Sequence, residues 1–179
     1  GPALAAALDV FSHAAAPRGK PDFGLHQTEI DGRTVSVVEE IVHRKPFGQL
    51  KRFVREGIVG SPKLLIVAPM SGHFATLLRG TVERMLPSHD VYITDWRNAR
   101  MVPTDQGDFH LDDYVHYVQE FIAHLQGRYG NCHVVSVCQP TVPVLAAVSL
   151  MASRGEKTPL TMTMMGGPID ARKSPTAVN

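Results

Sequence analysis

Cysteine, net charge and long apolar segments are all scarce in this sequence, and each absence excludes a class of protein. The net charge is only +1 and both signs are interspersed, so the basic stripe of a nucleic-acid-binding protein is missing. No apolar run reaches the roughly 18 residues of a transmembrane helix. With two cysteines, and with histidines that lack metal-ligand spacing, we expect no metal and no cofactor. The remaining composition, 44% hydrophobic and 20% charged, is typical of one globular domain.

The two cysteines, Cys132 and Cys138, indicate where the protein resides. If both lie on one strand, they are separated by roughly 20 Å. A disulfide requires Cα atoms within about 7 Å, so we expect two unpaired thiols and a reducing compartment. The Ala-rich start lacks a basic leading region and is interrupted by Asp9, unlike a secretory signal. The sequence therefore predicts a cytoplasmic protein.

Apolar periodicity divides the chain into a weakly patterned N-terminal arm, residues 1–28, and a folded domain, residues 29–179. Alternating or continuous apolar runs predict strands at 35–43, 49–55, 63–69, 90–96, 132–137 and 160–165. Three- and four-residue spacing predicts helices at 74–86, 111–125 and 141–152, with Gly127 at the end of the second. Strands and helices that alternate in this way favour an α/β fold with a mostly parallel sheet, helices on both faces and an antiparallel leading hairpin.

Reactive side chains follow the predicted strands, where sites of parallel sheets gather. The segment Ser136-Val137-Cys138-Gln139-Pro140 runs from a strand through a thiol into a helix, as in the nucleophile elbow of α/β-hydrolases, although the G-x-S-x-G spelling is lost. At a helix N-terminus, free backbone N–H groups and the dipole would favour the thiolate of Cys138. The alternative is that Cys138 is a buried structural thiol.

The turn Met70-Ser71-Gly72-His73 follows the first core strand and is the other candidate part of the site. In an α/β-hydrolase this loop supplies one oxyanion-hole N–H, for which we favour Ser71, with Met70 as the alternative. The residue after the nucleophile, Gln139, supplies the second. An ordinary strand-to-helix turn is the alternative. His73 is not expected to be the base, because the base of this fold follows the nucleophile in the chain.

Another cluster, Asp95-Trp96-Arg97, ends the second core strand beside the predicted cleft. For Asp95 we expect a bracing or capping role. Trp96 and Arg97 are interpreted as a packing anchor and a solvated charge.

The segment 136–151 (SVCQPTVPVLAAVSLM) resembles the intracellular polyhydroxyalkanoate (polyhydroxybutyrate) depolymerases, α/β-hydrolases in which the cysteine of a VCQPT-type motif is the nucleophile. Further blocks that resemble this family lie at 68–87, 91–103, 109–122 and 161–179, so that the resemblance covers roughly residues 20–179. It implies an ester-cleaving depolymerase with Cys138 as nucleophile. It also implies a polyhydroxybutyrate polymer or granule surface as partner, and a cytoplasmic, granule-associated location.

The same resemblance implies parts that this sequence does not match. Family members have a long C-terminal half, with a lid region and the Asp and His that complete the catalytic triad. We therefore expect this chain to be the N-terminal half of an α/β-hydrolase domain and close to inactive alone. An unpaired sheet edge would then favour a homo-oligomer, or pairing with the C-terminal half.

Two other functions stay open at this point. Polyhydroxyalkanoate synthases use a cysteine nucleophile on the same fold, although their elbow is usually flanked by Gly, and Ser136 and Pro140 depart from that pattern. The second is a non-catalytic module that binds the granule through exposed apolar surface. Neither alternative requires a metal or a redox cofactor.

Overall fold

The computed structural model describes residues 23–70, 74–97 and 109–167, with the side chains of residues 74–77 left out. These residues form a seven-stranded sheet in the order β1-β2-β3-β5-β4-β6-β7. The strands are β1 (Gln27–Ile30), β2 (Arg33–Arg44), β3 (Gly48–Arg55), β4 (Lys63–Val67), β5 (Asp90–Trp96), β6 (His133–Val137) and β7 (Thr161–Met165).

The sheet has an antiparallel and a parallel part. In the antiparallel part, β2 pairs with β1 and β3, and β3 pairs with β5. In the parallel part, β4 pairs with both β5 and β6, and β6 pairs with β7. Helices connect the parallel strands: α1 (Phe74–Met85), α2 (Leu111–Tyr129) and α3 (Thr141–Ser153). The predicted α/β class is confirmed, and so is the antiparallel leading hairpin.

Each face of the sheet is covered by its own apolar layer. Along β4, Leu65 and Val67 belong to the layer that contains α2 and α3. Their neighbours Leu64 and Ile66 belong to the layer that contains α1. Because successive side chains of a strand point to opposite faces, β4 must be apolar throughout, and it is buried after its first residue. The prediction of helices on both faces is confirmed.

The structure departs from the predicted elements in two places. The short strand β1 was not predicted, since its residues QTEI are mostly polar and alternate over too few positions. The prediction that Gly127 ends the second helix is wrong. The helix continues to Tyr129, and Gly130 ends it with a φ of 88° and an N–H that donates to the Gln126 carbonyl oxygen. Gly127 has an ordinary helical environment, whereas only Gly130 uses the backbone freedom of glycine.

The predicted N-terminal arm lies mostly outside the described residues. Of the arm at 1–28, only residues 23–28 are described. Phe23 and Leu25 of this segment are buried, and the Phe23 ring meets Phe53 edge-on at 5.1 Å. None of the described helices has the length and apolar character needed to cross a membrane.

Gly48 at the start of β3 provides a test of this packing. A Cβ added at Gly48 would lie 2.7 Å from Cε3 of the buried Trp96, which is paired with it across the sheet. We expect Gly48→Ala to lower the free energy of unfolding by about 1–3 kcal/mol, as overpacking does. Urea denaturation measures this change. The matched control, Gly80→Ala on α1, meets no atom within 4 Å and should stabilise by about 0.5–1 kcal/mol. Equal effects in both variants would contradict the packing.

Candidate functional site

Cys138 occupies a strained turn between β6 and α3. Its φ is 63°, and among the described residues other than glycine only Asp31, in the β1–β2 turn, shares a positive φ. A left-handed backbone costs a residue with a Cβ roughly 1–2 kcal/mol. The thiol is exposed. A side chain presented on a sharp strand-to-helix turn is the geometry of the nucleophile elbow.

Hydrogen bonds hold the backbone of this turn from two directions. The Cys138 N–H donates to the Met165 carbonyl oxygen at the end of β7, over 2.8 Å. The Cys138 carbonyl oxygen accepts from the Thr141 N–H, over 3.2 Å, which starts α3. Strained conformations persist only when the surroundings over-determine them. The neighbouring strand and the following helix both supply that constraint here.

Small side chains beneath the turn allow its close packing. Ser136 and Thr141 are fully buried, and the Ser136 hydroxyl donates to Thr141 Oγ1 over 3.4 Å. A Cβ added at Gly167 would overlap the Thr141 side chain. The sequence predicted no role for Gly167 or Thr141. A Gly-Gly pair directly after a core strand was the available signal.

Gln139 follows Cys138 at the entrance of α3, and its side chain is exposed. Within the described ranges, no acceptor takes a hydrogen bond from its backbone N–H. Pro140 precedes α3 with a φ of −58°. It has no N–H to leave unsatisfied. The Gln139 N–H is therefore available beside the Cys138 thiol, as the second oxyanion donor of this fold would need to be.

The end of β4 is fixed by three side chains from neighbouring elements. The Ala68 carbonyl oxygen accepts from the Trp96 indole N–H over 2.8 Å and from the Tyr114 hydroxyl over 3.3 Å. The Ala68 N–H donates to Thr94 Oγ1 over 2.8 Å. Burial raises the pKa of Tyr114, so its hydroxyl stays protonated and remains a donor.

The parallel register brings this strand end next to the elbow. Val67 lies opposite Ser136, so Ala68 and Val137 are the next pair along the two strands. The predicted oxyanion donor Ser71 belongs to the loop that begins there. Ser71 itself and His73 lie outside the described residues, so their roles stay predictions.

The Asp95-Trp96-Arg97 cluster has the structural surroundings expected of it. Asp95 accepts a hydrogen bond from Gln49 Nε2 over 2.7 Å and so braces β5 against β3. Trp96 is buried among aromatic side chains of α2 and its entry, with the Tyr114 ring centroid at 4.6 Å. Arg97 is exposed, and its backbone N–H donates to the Phe47 carbonyl oxygen.

The two cysteines lie in opposite environments and are unpaired. Cys132 is fully buried, and burial raises the pKa of its thiol to about 11. A buried structural thiol, the alternative considered for Cys138, therefore describes Cys132. In the described part of the chain, no group of three His, Cys, Asp or Glu side chains could hold a metal ion.

This difference predicts selective thiol modification. Iodoacetamide should alkylate Cys138 in the native protein at least about tenfold faster than Cys132, because the reacting thiolate of Cys132 is both buried and scarce at neutral pH. Intact mass and peptide mapping count and locate the label. Cys138→Ala should then take up no label under native conditions, and Cys132→Ala should take up one. Both thiols should react in urea, and native labelling of Cys132 first would contradict the prediction.

The positive φ of Cys138 predicts an inverted glycine effect on stability. At this position glycine should be more stable than alanine, by about 1 kcal/mol, because only glycine adopts a left-handed backbone without steric cost. Urea denaturation of Cys138→Gly and Cys138→Ala measures the difference. The same pair at Ser149, exposed on α3, should show the ordinary order, with alanine more stable by about 1 kcal/mol. The same order at both positions would disprove the turn geometry.

Comparison with known proteins identifies the fold. No family model matches this chain, and no curated protein matches it by sequence. Among solved structures, it is similar to a candidate esterase from Staphylococcus aureus, with a TM-score of 0.60 and 15% identity, over 96% of this chain and 54% of that one. It is also similar to an ester hydrolase from the Lake Arreo metagenome, with a TM-score of 0.51 and 13% identity, over 97% of this chain and 61% of that one.

The chain thus spans between about half and three fifths of the length of these structures. A further α/β-hydrolase from the same metagenome aligns over 95% of this chain with a TM-score of 0.50 and 13% identity, and covers 59% of that protein. At such low identity the likeness concerns the backbone alone. The chain has the α/β-hydrolase fold.

Proposed function

We propose that this protein cleaves ester bonds of polyhydroxybutyrate, with Cys138 as the nucleophile of an acyl-enzyme mechanism. The observation that carries the proposal is the Cys138 turn, in which an exposed thiol stands on a left-handed backbone between a parallel strand and a helix. The resemblance of the segment 136–151 to the polyhydroxyalkanoate depolymerases supports the substrate. The proposed place of action is the granule surface in the cytoplasm.

In the first step the Cys138 thiolate attacks an ester carbonyl carbon of the polymer. A C–S bond forms, and the carbonyl oxygen becomes an oxyanion. The Gln139 N–H, which has no acceptor among the described residues, is the proposed donor on one side, and the Ser71 N–H is the proposed donor on the other. Such donors act on charge that develops in the transition state.

Collapse of the tetrahedral intermediate breaks the C–O bond, and the shortened polymer leaves as an alcohol that takes up the proton lost by the thiol. Water then attacks the thioester and releases a hydroxyacid, which regenerates the Cys138 thiol. The resemblance implies a histidine base and an acidic partner for these proton transfers, and it matches no residue of this sequence to either. Neither step needs a metal or a redox cofactor.

Exposed apolar side chains at the same end of the parallel strands as Cys138 support a polyester substrate. Met70 follows β4, Val142 lies in the first turn of α3, and Met165 ends β7, and all three are exposed. Met165 also accepts the hydrogen bond from the Cys138 N–H. An apolar rim suits a polymer of ester and hydrocarbon groups better than a charged substrate.

The same rim favours a second candidate, a non-catalytic module that binds the granule surface. Exposed apolar side chains at one end of a sheet can mark an interaction surface. This candidate predicts co-sedimentation with granules that Cys138→Ala leaves unchanged, together with no ester cleavage. The catalytic proposal predicts the same co-sedimentation but also release of hydroxyacid.

The test is release of 3-hydroxybutyrate from amorphous granules by the protein expressed from its complete gene. Cys138→Ala should lower the rate at least about a hundredfold, since loss of a nucleophile removes the covalent route. Cys132→Ala is the matched control and should keep the rate within a factor of about three, because this thiol is buried beneath the other end of β6.

Other results have distinct meanings. Equal release by the wild type and Cys138→Ala would exclude Cys138 and leave Ser71 as the candidate, since the Ser136 hydroxyl is buried. Polymer extension from hydroxyacyl-coenzyme A, with no release, would identify a synthase-like acyltransferase. Granule binding with neither activity would identify the binding module.

A further inference from the structure

A cavity lies at the opposite end of the parallel strands from Cys138. It encloses about 520 Å³. Its wall includes the first residues of three parallel strands, Lys63 of β4, Asp90 of β5 and His133 of β6, together with Arg52 and Arg55 of β3. Small-molecule sites have volumes of this order.

One buried carboxylate neutralises part of the positive charge in this cavity. Asp90 accepts from Arg52 Nε over 2.9 Å and from Arg52 Nη2 over 3.1 Å. Lys63 Nζ lies 3.0 Å from Asp90 Oδ2, the oxygen that also accepts from Arg52 Nη2. The Tyr92 hydroxyl also donates to Asp90, over 3.3 Å. The carboxylate thus forms direct ion pairs with two cations and acts on Arg55 only at longer range.

Arg55 is the third cation, and it is buried without a carboxylate. Its side chain lines the cavity, yet the residue is only 4% exposed. One terminal nitrogen, Nη1, donates to the carbonyl oxygens of Leu86 and Pro87, over 3.0 and 3.5 Å. No carboxylate of the described residues lies within ion-pair distance of it. Burial lowers the pKa of Arg55 but leaves it charged at neutral pH.

A charge in this position is costly without a counter-ion. Three cations face one carboxylate, which leaves a formal charge of +2 on the wall, the complement of a dianion. Arginine forks match phosphate geometry. Beside these groups, Ile58 and Leu160 form an apolar part of the wall that could contact a hydrocarbon portion of a ligand.

We propose that this cavity binds the phosphate group of a small phosphorylated metabolite, with Arg55 as its principal ligand. Inorganic phosphate shares the recognised group but not the organic portion. Binding of inorganic phosphate and binding of an organic phosphate can therefore be distinguished, because only the organic phosphate can contact Ile58 and Leu160. The proposal does not depend on the chemistry of Cys138.

The test is an NMR titration of the ¹⁵N-labelled protein with inorganic phosphate and, separately, with glycerol 3-phosphate. We expect saturable shifts of the amides of Arg55, Lys63 and His133, with a dissociation constant on the order of 1 mM or tighter. Acetate at the same ionic strength should cause no saturable shift, since a monoanion leaves one charge unmatched. Tighter binding of glycerol 3-phosphate would identify an organic phosphate, and equal binding would identify inorganic phosphate.

Variants locate the binding to Arg55. Arg55→Gln should weaken phosphate binding at least about tenfold, as loss of a charged hydrogen-bond donor does, and Arg55→Lys should weaken it less. Arg154→Gln removes an exposed cation beyond the end of α3 and should have no effect. The wild-type titration decides the matter even if Arg55→Gln fails to fold. Shifts that do not saturate, that acetate reproduces, or that lie away from the cavity would overturn the proposal.

Discussion

The hydrogen bonds to the Ala68 carbonyl oxygen determine where the central strand ends and thus where the loop to α1 begins. The Trp96 indole and the Tyr114 hydroxyl both donate to this oxygen inside the core, and an unsatisfied buried donor costs about 1–3 kcal/mol. Any shift of the strand would leave both donors without an acceptor. Trp96 in turn depends on the absence of a side chain at Gly48. The Ala68 carbonyl thereby links the antiparallel part of the sheet, the central strand and α2.

The Cys138 turn depends on this alignment because β6 pairs with the same central strand. The pairing of Val67 with Ser136 determines where β6 ends relative to the end of β4. The hydrogen bond from the Cys138 N–H to the Met165 carbonyl oxygen then holds the end of β7 beside the end of β6. The strain of roughly 1–2 kcal/mol in the left-handed residue is small against the pairing of two strands. An extended backbone at Cys138 would relieve the strain, but it would lose the Met165 acceptor and redirect α3. The exposed thiol is thus a consequence of sheet geometry.

The sequence predicts the parallel strands well and the supporting contacts poorly. The bounds of β5, Asp90 to Trp96, agree with the prediction, because a run rich in β-branched and aromatic residues is a strong local signal. The position of Cys138 between a strand and a helix was equally predictable from the sequence. The contact between Gly167 and Thr141 was not, because it joins residues whose proximity depends on the pairing of β6 with β7. Gly127 and Gly130 show the same limit, since spacing alone cannot tell which glycine has a positive φ.

The two candidate sites lie at opposite ends of the same strand. His133 lines the cationic cavity and begins β6, whereas Cys138 directly follows its end, so their backbones are about 17 Å apart at 3.3 Å per residue. The Debye length at physiological ionic strength is about 8 Å. Salt screens exposed charges at this separation, but it screens a buried cation such as Arg55 much less. In the proposed mechanism, backbone N–H groups beside Cys138 stabilise the developing charge directly, whereas the cations of the cavity act from the far end of β6.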